Sequence, residues 1–161
     1  MRWDAVIEFP VMKVGVKTDD GSVTGIRYLP PASPAVPPQN ALSEMAARLL
    51  ERYRGDPDTV FDLPLRVEGS PLQRQVWQAM CAIPRGRTRT YGDLARELGA
   101  EARDIGQACG DNRLPIVIPC HRIVAANGIG GFGHATDGYL IEVKRWLLRH
   151  ESKPEEFELR P

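Results

Sequence analysis

The residue types best suited to chemistry stand together at Cys120-His121, within Ile118-Pro119-Cys120-His121-Arg122-Ile123-Val124. Apolar runs on both sides predict a thiol at the end of a short buried strand, Ile116-Val117-Ile118, immediately beside an imidazole. Apolar surroundings raise a thiol pKa, whereas a neighbouring base can take its proton and release the nucleophilic thiolate. A free cysteine taken at random is more often an inert packed residue, but the Pro-Cys-His-Arg context reverses that expectation. Adjacent strand residues point to opposite faces, so His121 serves Cys120 only through a bend or a bridging water. A third group would then orient the imidazole, as in a triad. Glu151, after His150 at the end of the last apolar helical pattern, is the downstream carboxylate available for that. Cys81 and Cys109 fall inside helical patterns and read as packing residues.

The rest of the composition narrows the classes. Three cysteines cannot all pair, none stands in a C-x-x-C pattern, and three histidines lie far apart. A metal site and a cofactor are not expected, and a reducing, cytoplasmic compartment is. The N-terminus has no apolar leader, and no run reaches transmembrane length. Formal net charge is zero, which argues against a generic polyanion binder. Lys and Arg number 8 against 9 Asp and Glu in residues 1–67, but 12 against 9 in residues 68–153. The second segment is therefore mildly basic, nearly all through Arg, the better residue for planar contacts to phosphate or bases.

Elements must hold this pair in place. With 42% apolar residues the chain can bury a real core. Trp3 to Phe9, Val11 to Lys17 and Ser22 to Leu29 read as strands, with Asp19-Asp20-Gly21 as a hairpin turn. Five prolines make residues 30–38 an extended loop. Ala41 to Tyr53 has helical spacing, and Phe61 to Leu65 reads as a short strand. This first segment carries no reactive constellation and reads as scaffold. From Gly69 onward, Ser70-Pro71-Leu72-Gln73 opens a helix with a capping box and Pro at its first position. Pro84-Arg85-Gly86 breaks it. Thr90-Tyr91-Gly92-Asp93 caps a second helix that Gly99 ends, and a third runs from about Glu101 to Gly110. Two short helices around a tight turn outline a helix-turn-helix, which either binds DNA or simply packs. Ala102, Gly106, Ala108 and Gly110 are small, so the third helix can approach a partner closely, with Arg103 reaching into it. With Tyr91 before it, this suits a protein that enters a DNA groove and extrudes a base. Residues 128–133 form a glycine-rich loop, and a last helix runs from about Leu140 to His150.

These residues closely resemble the O6-alkylguanine-DNA alkyltransferases, whose Pro-Cys-His-Arg-Val motif stands here as Pro119-Cys120-His121-Arg122-Ile123. Further matches run through Gln75-Val76-Trp77, Thr90-Tyr91-Gly92-Asp93-Leu94-Ala95, Gly106, Asn112 and Pro115 to Lys144-Arg145-Trp146-Leu147-Leu148 and His150-Glu151, covering residues 69–151. The resemblance implies an α+β fold: a strand-rich N-terminal domain (1–67), a mainly helical C-terminal domain (68–155) with a winged-helix-like helix-turn-helix, and a tail (156–161). It implies a single-use DNA repair protein, with no cofactor, that acts as a monomer on double-stranded DNA carrying O6-alkylguanine. Cys120 would accept the alkyl group as a thioether, His121 would act through a water as base, and Glu151 would polarise it. Asn112 would hold the turn before the active-site strand. Tyr91 would rotate the target phosphate and protonate the departing guanine oxygen, and Arg103 would replace the extruded nucleotide from the minor groove. Thr90, Ala102, Gly106 and Arg122 would also face DNA, and Cys109, Pro115, Ile123, Phe132 and Gly133 would line the substrate pocket.

The departures from the family pattern are specific. Ile123 replaces Val. Arg113 stands where Pro is common, which predicts a looser turn. Asp104 follows the finger Arg, so its carboxylate either opposes DNA binding or points away. The loop over residues 132–139 is longer than in many members, with Phe132 where a Tyr often sits. Two other classes fit the chain less well: an alkyltransferase-like lesion binder, which lacks the acceptor cysteine that Cys120 supplies, and a Cys-His hydrolase, for which no oxyanion site is visible.

Overall fold

The computed structural model describes residues 2–131 and 138–152. The first half is an antiparallel meander of β1 (Ala5–Glu8), β2 (Lys13–Asp19) and β3 (Ser22–Leu29), in that spatial order. The hairpin between β2 and β3 turns on Asp20 and Gly21, at φ +48° and +77°, the left-handed pair that a two-residue turn between right-twisted strands requires. Val14 opposite Tyr28 and Val16 opposite Ile26 share one buried face. It joins Ala46, Leu50 and Tyr53 of helix α1 (Ala41–Gly55) in a common apolar cluster. Asn40 fixes the start of α1, its side chain accepting the Ser43 N–H at 2.8 Å.

The second half comprises α2 (Pro71–Cys81), β4 (Arg89–Thr90), α3 (Tyr91–Leu98), α4 (Ala102–Gly110), a 3-10 turn at Cys120–Arg122, β5 (Ile123–Val124) and α5 (Tyr139–Glu151). The expected caps are in place. Ser70 accepts the Gln73 N–H at 3.1 Å, and Thr90 and Asp93 exchange side chain and backbone bonds at 3.0 Å. Gly99 closes α3 at φ +64°, a left-handed cap that glycine adopts without a Cβ clash. Parallel pairing of Arg89 with Ile123 and Thr90 with Val124 ties the start of α3 to the end of the Cys120 turn. One continuous core runs through both halves, from Ala5 to Leu147.

Two expected strands are absent. Residues 61–64 are irregular, and only Leu65 bridges to Val23; Pro64 has no N–H for a ladder. Ile116-Val117-Ile118 is a tight turn, with the Ile118 N–H on the Leu114 carbonyl at 2.8 Å and Ile116 at φ +73°. Cys120 therefore follows a turn, not a strand. A run of three apolar residues reads the same in either conformation, and Pro115 cannot donate to a ladder.

Candidate functional site

The Cys120 turn is gathered by one side chain. Asn112 Nδ2 donates to the Ile118 carbonyl at 2.8 Å and its Oδ1 accepts the Leu114 N–H at 2.9 Å. Arg113 does not leave this turn loose, because its carbonyl takes the Ile26 N–H of β3 at 2.8 Å. Cys120 is buried, and burial pushes its thiol up to about 11. The Asn112 side chain, the Lys144 charge and the backbone N–H groups of Cys120 and His121 pull the other way. Desolvation wins, so at neutral pH the thiol keeps its proton until a base removes it.

His121 is fully buried, and its Nε2 lies 2.8 Å from Glu151 Oε2. The Glu151 carboxyl is buried too. Burial opposes its charge, but His121 and then Arg122 outweigh that and hold it well below the usual carboxylate range. An ionised carboxylate only accepts hydrogen bonds, so Nε2 carries the imidazole hydrogen and Nδ1 is the basic lone pair. That Nδ1 has no protein partner among the described residues, and Nε2 meets Glu151 at 2.8 Å without the alignment of a regular hydrogen bond. Burial lowers the His121 pKa against the raising effect of Glu151, which keeps the ring neutral and able to accept a proton. No hydrogen bond joins the imidazole to the thiol.

Glu151 has two further donors. Arg122 Nε reaches Oε1 at 2.9 Å and Nη2 reaches Oε2 at 3.1 Å, while Nη1 holds the Ile83 carbonyl at 2.6 Å. Arg122, expected against DNA, thus spends its guanidinium inside the protein, with the side chain 14% exposed. The second donor is Tyr53 of α1, whose hydroxyl donates to Oε2 at 2.6 Å.

Tyr91 and Lys144 complete the surroundings. Tyr91 is half-buried, and its hydroxyl donates to the Gly131 carbonyl at 3.4 Å. Burial, then the Cys109 and Cys120 charges, push its pKa up to about 12, so it is a proton donor at neutral pH. Gly130, at φ +77°, leaves room for the Tyr91 ring, which a Cβ would meet at 3.0 Å. Lys144 is fully buried, its Nζ donating to the Ile123 carbonyl at 2.7 Å and the Gly131 carbonyl at 3.0 Å. Burial lowers it to about 8, against the raising effect of Cys109 and Cys120. A groove of about 1260 Å³ reaches Cys120 past Cys109, Asn112, Pro115, Tyr28 and Tyr139. Ile123 is fully buried and supports the site from within rather than lining that groove.

The other expected residues lie on α3, α4 and the glycine loop. Thr90 caps α3, half-buried. Ala102 is exposed, and a Cβ on Gly106 would meet open space. Arg103 is 87% exposed, its Nη2 3.8 Å from Glu101 Oε2. Asp104 turns its carboxylate onto the Glu101 N–H at 3.3 Å. Phe132 and Gly133 lie outside the described residues. Cys81, expected in packing, is exposed at the end of α2. Tyr53 and Lys144 were not predicted as site residues. For Lys144 a signal existed: it stands four residues after Leu140 and three before Leu147, on the apolar stripe of α5, where a lysine needs a reason. Tyr53 offered none, being 98 residues from Glu151. Among the described residues no cluster of three His, Cys, Asp or Glu could hold a metal, and no helix is long and apolar enough to cross a membrane.

A buried thiol in one turn with an imidazole, lining a groove, is an arrangement in which a single cysteine can serve as a nucleophile once a base takes its proton. Residues 71–153 match the family model of the 6-O-methylguanine DNA methyltransferase DNA-binding domain. A protein of Acanthamoeba polyphaga mimivirus, named a probable methylated-DNA–protein-cysteine methyltransferase, is 40% identical over 73% of this chain and 74% of its own length. The Shigella flexneri methylated-DNA–protein-cysteine methyltransferase is 39% identical over 66% of this chain, which spans 61% of that relative. A variant of the Mycobacterium tuberculosis O6-methylguanine methyltransferase superposes with a TM-score of 0.76 at 32% identity, over 92% of this chain and 91% of that one. The Mycobacterium tuberculosis OGT in complex with DNA gives 0.75 at 33%, over 91% and 90%. The chain belongs to the 6-O-methylguanine DNA methyltransferase family.

Proposed function

We propose that this protein repairs DNA by direct reversal, moving the alkyl group from O6 of guanine irreversibly to Cys120. The observation that carries the reading is the buried thiol lining the groove, in one turn with a His121 whose Nε2 faces Glu151 at 2.8 Å. Cys120 Sγ attacks the alkyl carbon, the carbon–O6 bond breaks, and a thioether forms. The thiol proton passes through a water to His121 Nδ1, and the resulting imidazolium is stabilised by Glu151. Tyr91 gives its proton to the departing guanine oxygen. Lys144 lowers the cost of negative charge on sulfur. No cofactor enters this sequence, and because the thioether is not hydrolysed each molecule acts once.

The DNA-facing part of the proposal rests on α3 and α4, read as a helix-turn-helix of winged-helix type that enters the minor groove. The small, open surface around Ala102 and Gly106 permits close approach, and the exposed Arg103 fills the place of the extruded nucleotide. Thr90 positions the start of α3. Asn112 holds the acceptor turn, and Cys109 and Pro115 line the pocket. We divide the chain into a domain over residues 1–67 and another over 68–155, with a tail at 156–161. The family match beginning at residue 71 and the irregular stretch between α1 and α2 support that division. We assign a monomer acting in the cytoplasm.

The test is direct. Incubation with duplex DNA carrying labelled O6-methylguanine should transfer label to Cys120 in one-to-one stoichiometry, raising the intact mass by one methyl group. A Cys120→Ser protein that still accepted label would sink the assignment.

A further inference from the structure

The N-terminal segment, which reads as scaffold in the sequence, reaches into the proton relay at one point. Tyr53 of α1 is buried, and its hydroxyl donates at 2.6 Å to Glu151 Oε2, the same oxygen that faces His121 Nε2 at 2.8 Å. The ring is held so that the hydroxyl has little freedom. Its centroid lies 5.7 Å from Phe61 and 5.1 Å from His150, and His150 Nε2 donates to the Tyr53 carbonyl at 2.6 Å. Asp58, just beyond α1, pairs in a fork with Arg85 at 2.8 Å on both oxygens, and Arg85 also holds the Glu151 carbonyl at 3.1 Å. The end of α1 is therefore clamped to the end of α5.

We propose that Tyr53 is a positioning residue for alkyl transfer, setting through Glu151 the orientation and proton affinity of His121; this rests on Cys120 being the alkyl acceptor. The physical argument concerns one oxygen shared among three donors. Oε2 takes the Tyr53 hydroxyl, faces His121 Nε2 and takes Arg122 Nη2. Each donor draws electron density from the carboxylate and so weakens its pull on the His121 hydrogen. Remove the phenol, and the carboxylate binds an imidazolium more strongly. A His121 that is already protonated cannot accept the Cys120 proton. The charged and titratable groups around this pair are Cys120, His121 and Arg122 from the acceptor turn, Arg85 from the loop after α2, His150 and Lys144 from α5, and Tyr28 from β3. Only Tyr53 joins the N-terminal segment to the carboxylate by a side chain bond among the described residues. It is buried on α1, not on the α3 and α4 surface proposed for DNA, so its effect should not depend on which substrate supplies the alkyl group.

The experiment compares single-turnover transfer by the full chain and by Tyr53→Phe, on O6-methylguanine duplex DNA and on free O6-benzylguanine, across pH. Loss of a hydrogen bond to a charged group predicts a fall of about tenfold, equal on both substrates, with the acidic limb of the rate–pH profile moved to higher pH. In a Glu151→Gln background the same change should cost less than about twofold, because its route of action is gone. Site-specific 3-fluorotyrosine at position 53 keeps the ring and strengthens the donor, so it should move the acidic limb to lower pH; it serves even if the Phe variant fails to fold. An unmoved acidic limb in both replacements, or an equal loss in the Glu151→Gln background, overturns the proposal. Failure of the unmodified protein to transfer any alkyl group would instead overturn the functional reading beneath it.

Discussion

At the scale of single residues, the acceptor site sets a buried thiol that resists ionisation against the groups that assist it. Cys120 at about 11 needs both a base and a nearby positive charge, and the buried Lys144 is the cation whose charge draws its pKa down. Lys144→Met keeps most of the stem and removes the charge. With the cation gone the thiolate becomes costlier, so transfer at pH 7 should fall at least about tenfold, one pKa unit being worth a factor of ten. Stability should change less, since removing a buried charge relieves desolvation while two carbonyls lose a donor. Rates of thiol alkylation by a small reagent, measured against pH, check this: an unchanged profile would deny Lys144 any electrostatic part. Cys120 and His121 are legible because their types declare their chemistry, whereas Glu151 is legible only from its place at the end of the last helix and from the family resemblance. Lys144 is legible only as a charge misplaced on the apolar stripe of α5, and Tyr53 is not legible because its partner Glu151 lies 98 residues away.

At the scale of elements, the capped helices were the readable part. Ser70, Thr90 and Gly99 act within one turn of backbone, so local sequence decides them. The stretch before Cys120 was not readable, because Asn112 shapes it from six residues away and the strained Ile116 is held by burial. Asp104, the unexpected acid after Arg103, is accounted for locally: its carboxylate takes a backbone N–H at the start of α4, where negative charge also suits the helix dipole. Among the described residues Arg103 makes one long ion-pair contact, to an exposed neighbour, so its replacement should leave the fold intact. Arg103→Ala should therefore slow transfer from duplex DNA by about tenfold to a hundredfold, base extrusion costing a few kcal/mol, and leave transfer from free O6-benzylguanine within about twofold. Equal losses on both substrates would contradict a role in extrusion.

At the scale of the whole molecule, the same buried network that serves chemistry joins the two halves, so acid should weaken both. His121 has a folded pKa lowered by burial. The unfolded chain therefore binds its proton first, and the contribution of neutral His121 is complete above about pH 6.5 and declines as pH falls below it. Glu151 has a folded pKa depressed by His121 and Arg122, so its contribution is complete above about pH 4.5 and is lost further down. The two effects have the same sign and follow one another. On the alkaline side, Cys120 is raised, and its contribution fades as pH climbs from about 9 towards 11. Lys144 acts oppositely there: its folded value near 8 means that its burial penalty is relieved between about pH 8 and 10.5. Thermal melts should thus hold nearly level around neutrality and fall from about pH 6.5 downward, with a slope of no more than about 1.4 kcal/mol per pH unit for each group. A His121→Asn protein should lose the first phase and keep only a reduced second one, because Arg122 alone then holds the Glu151 carboxyl down. If both proteins melted alike between pH 7 and 5, His121 would not be the group that couples protonation to the joining of α1 and α5.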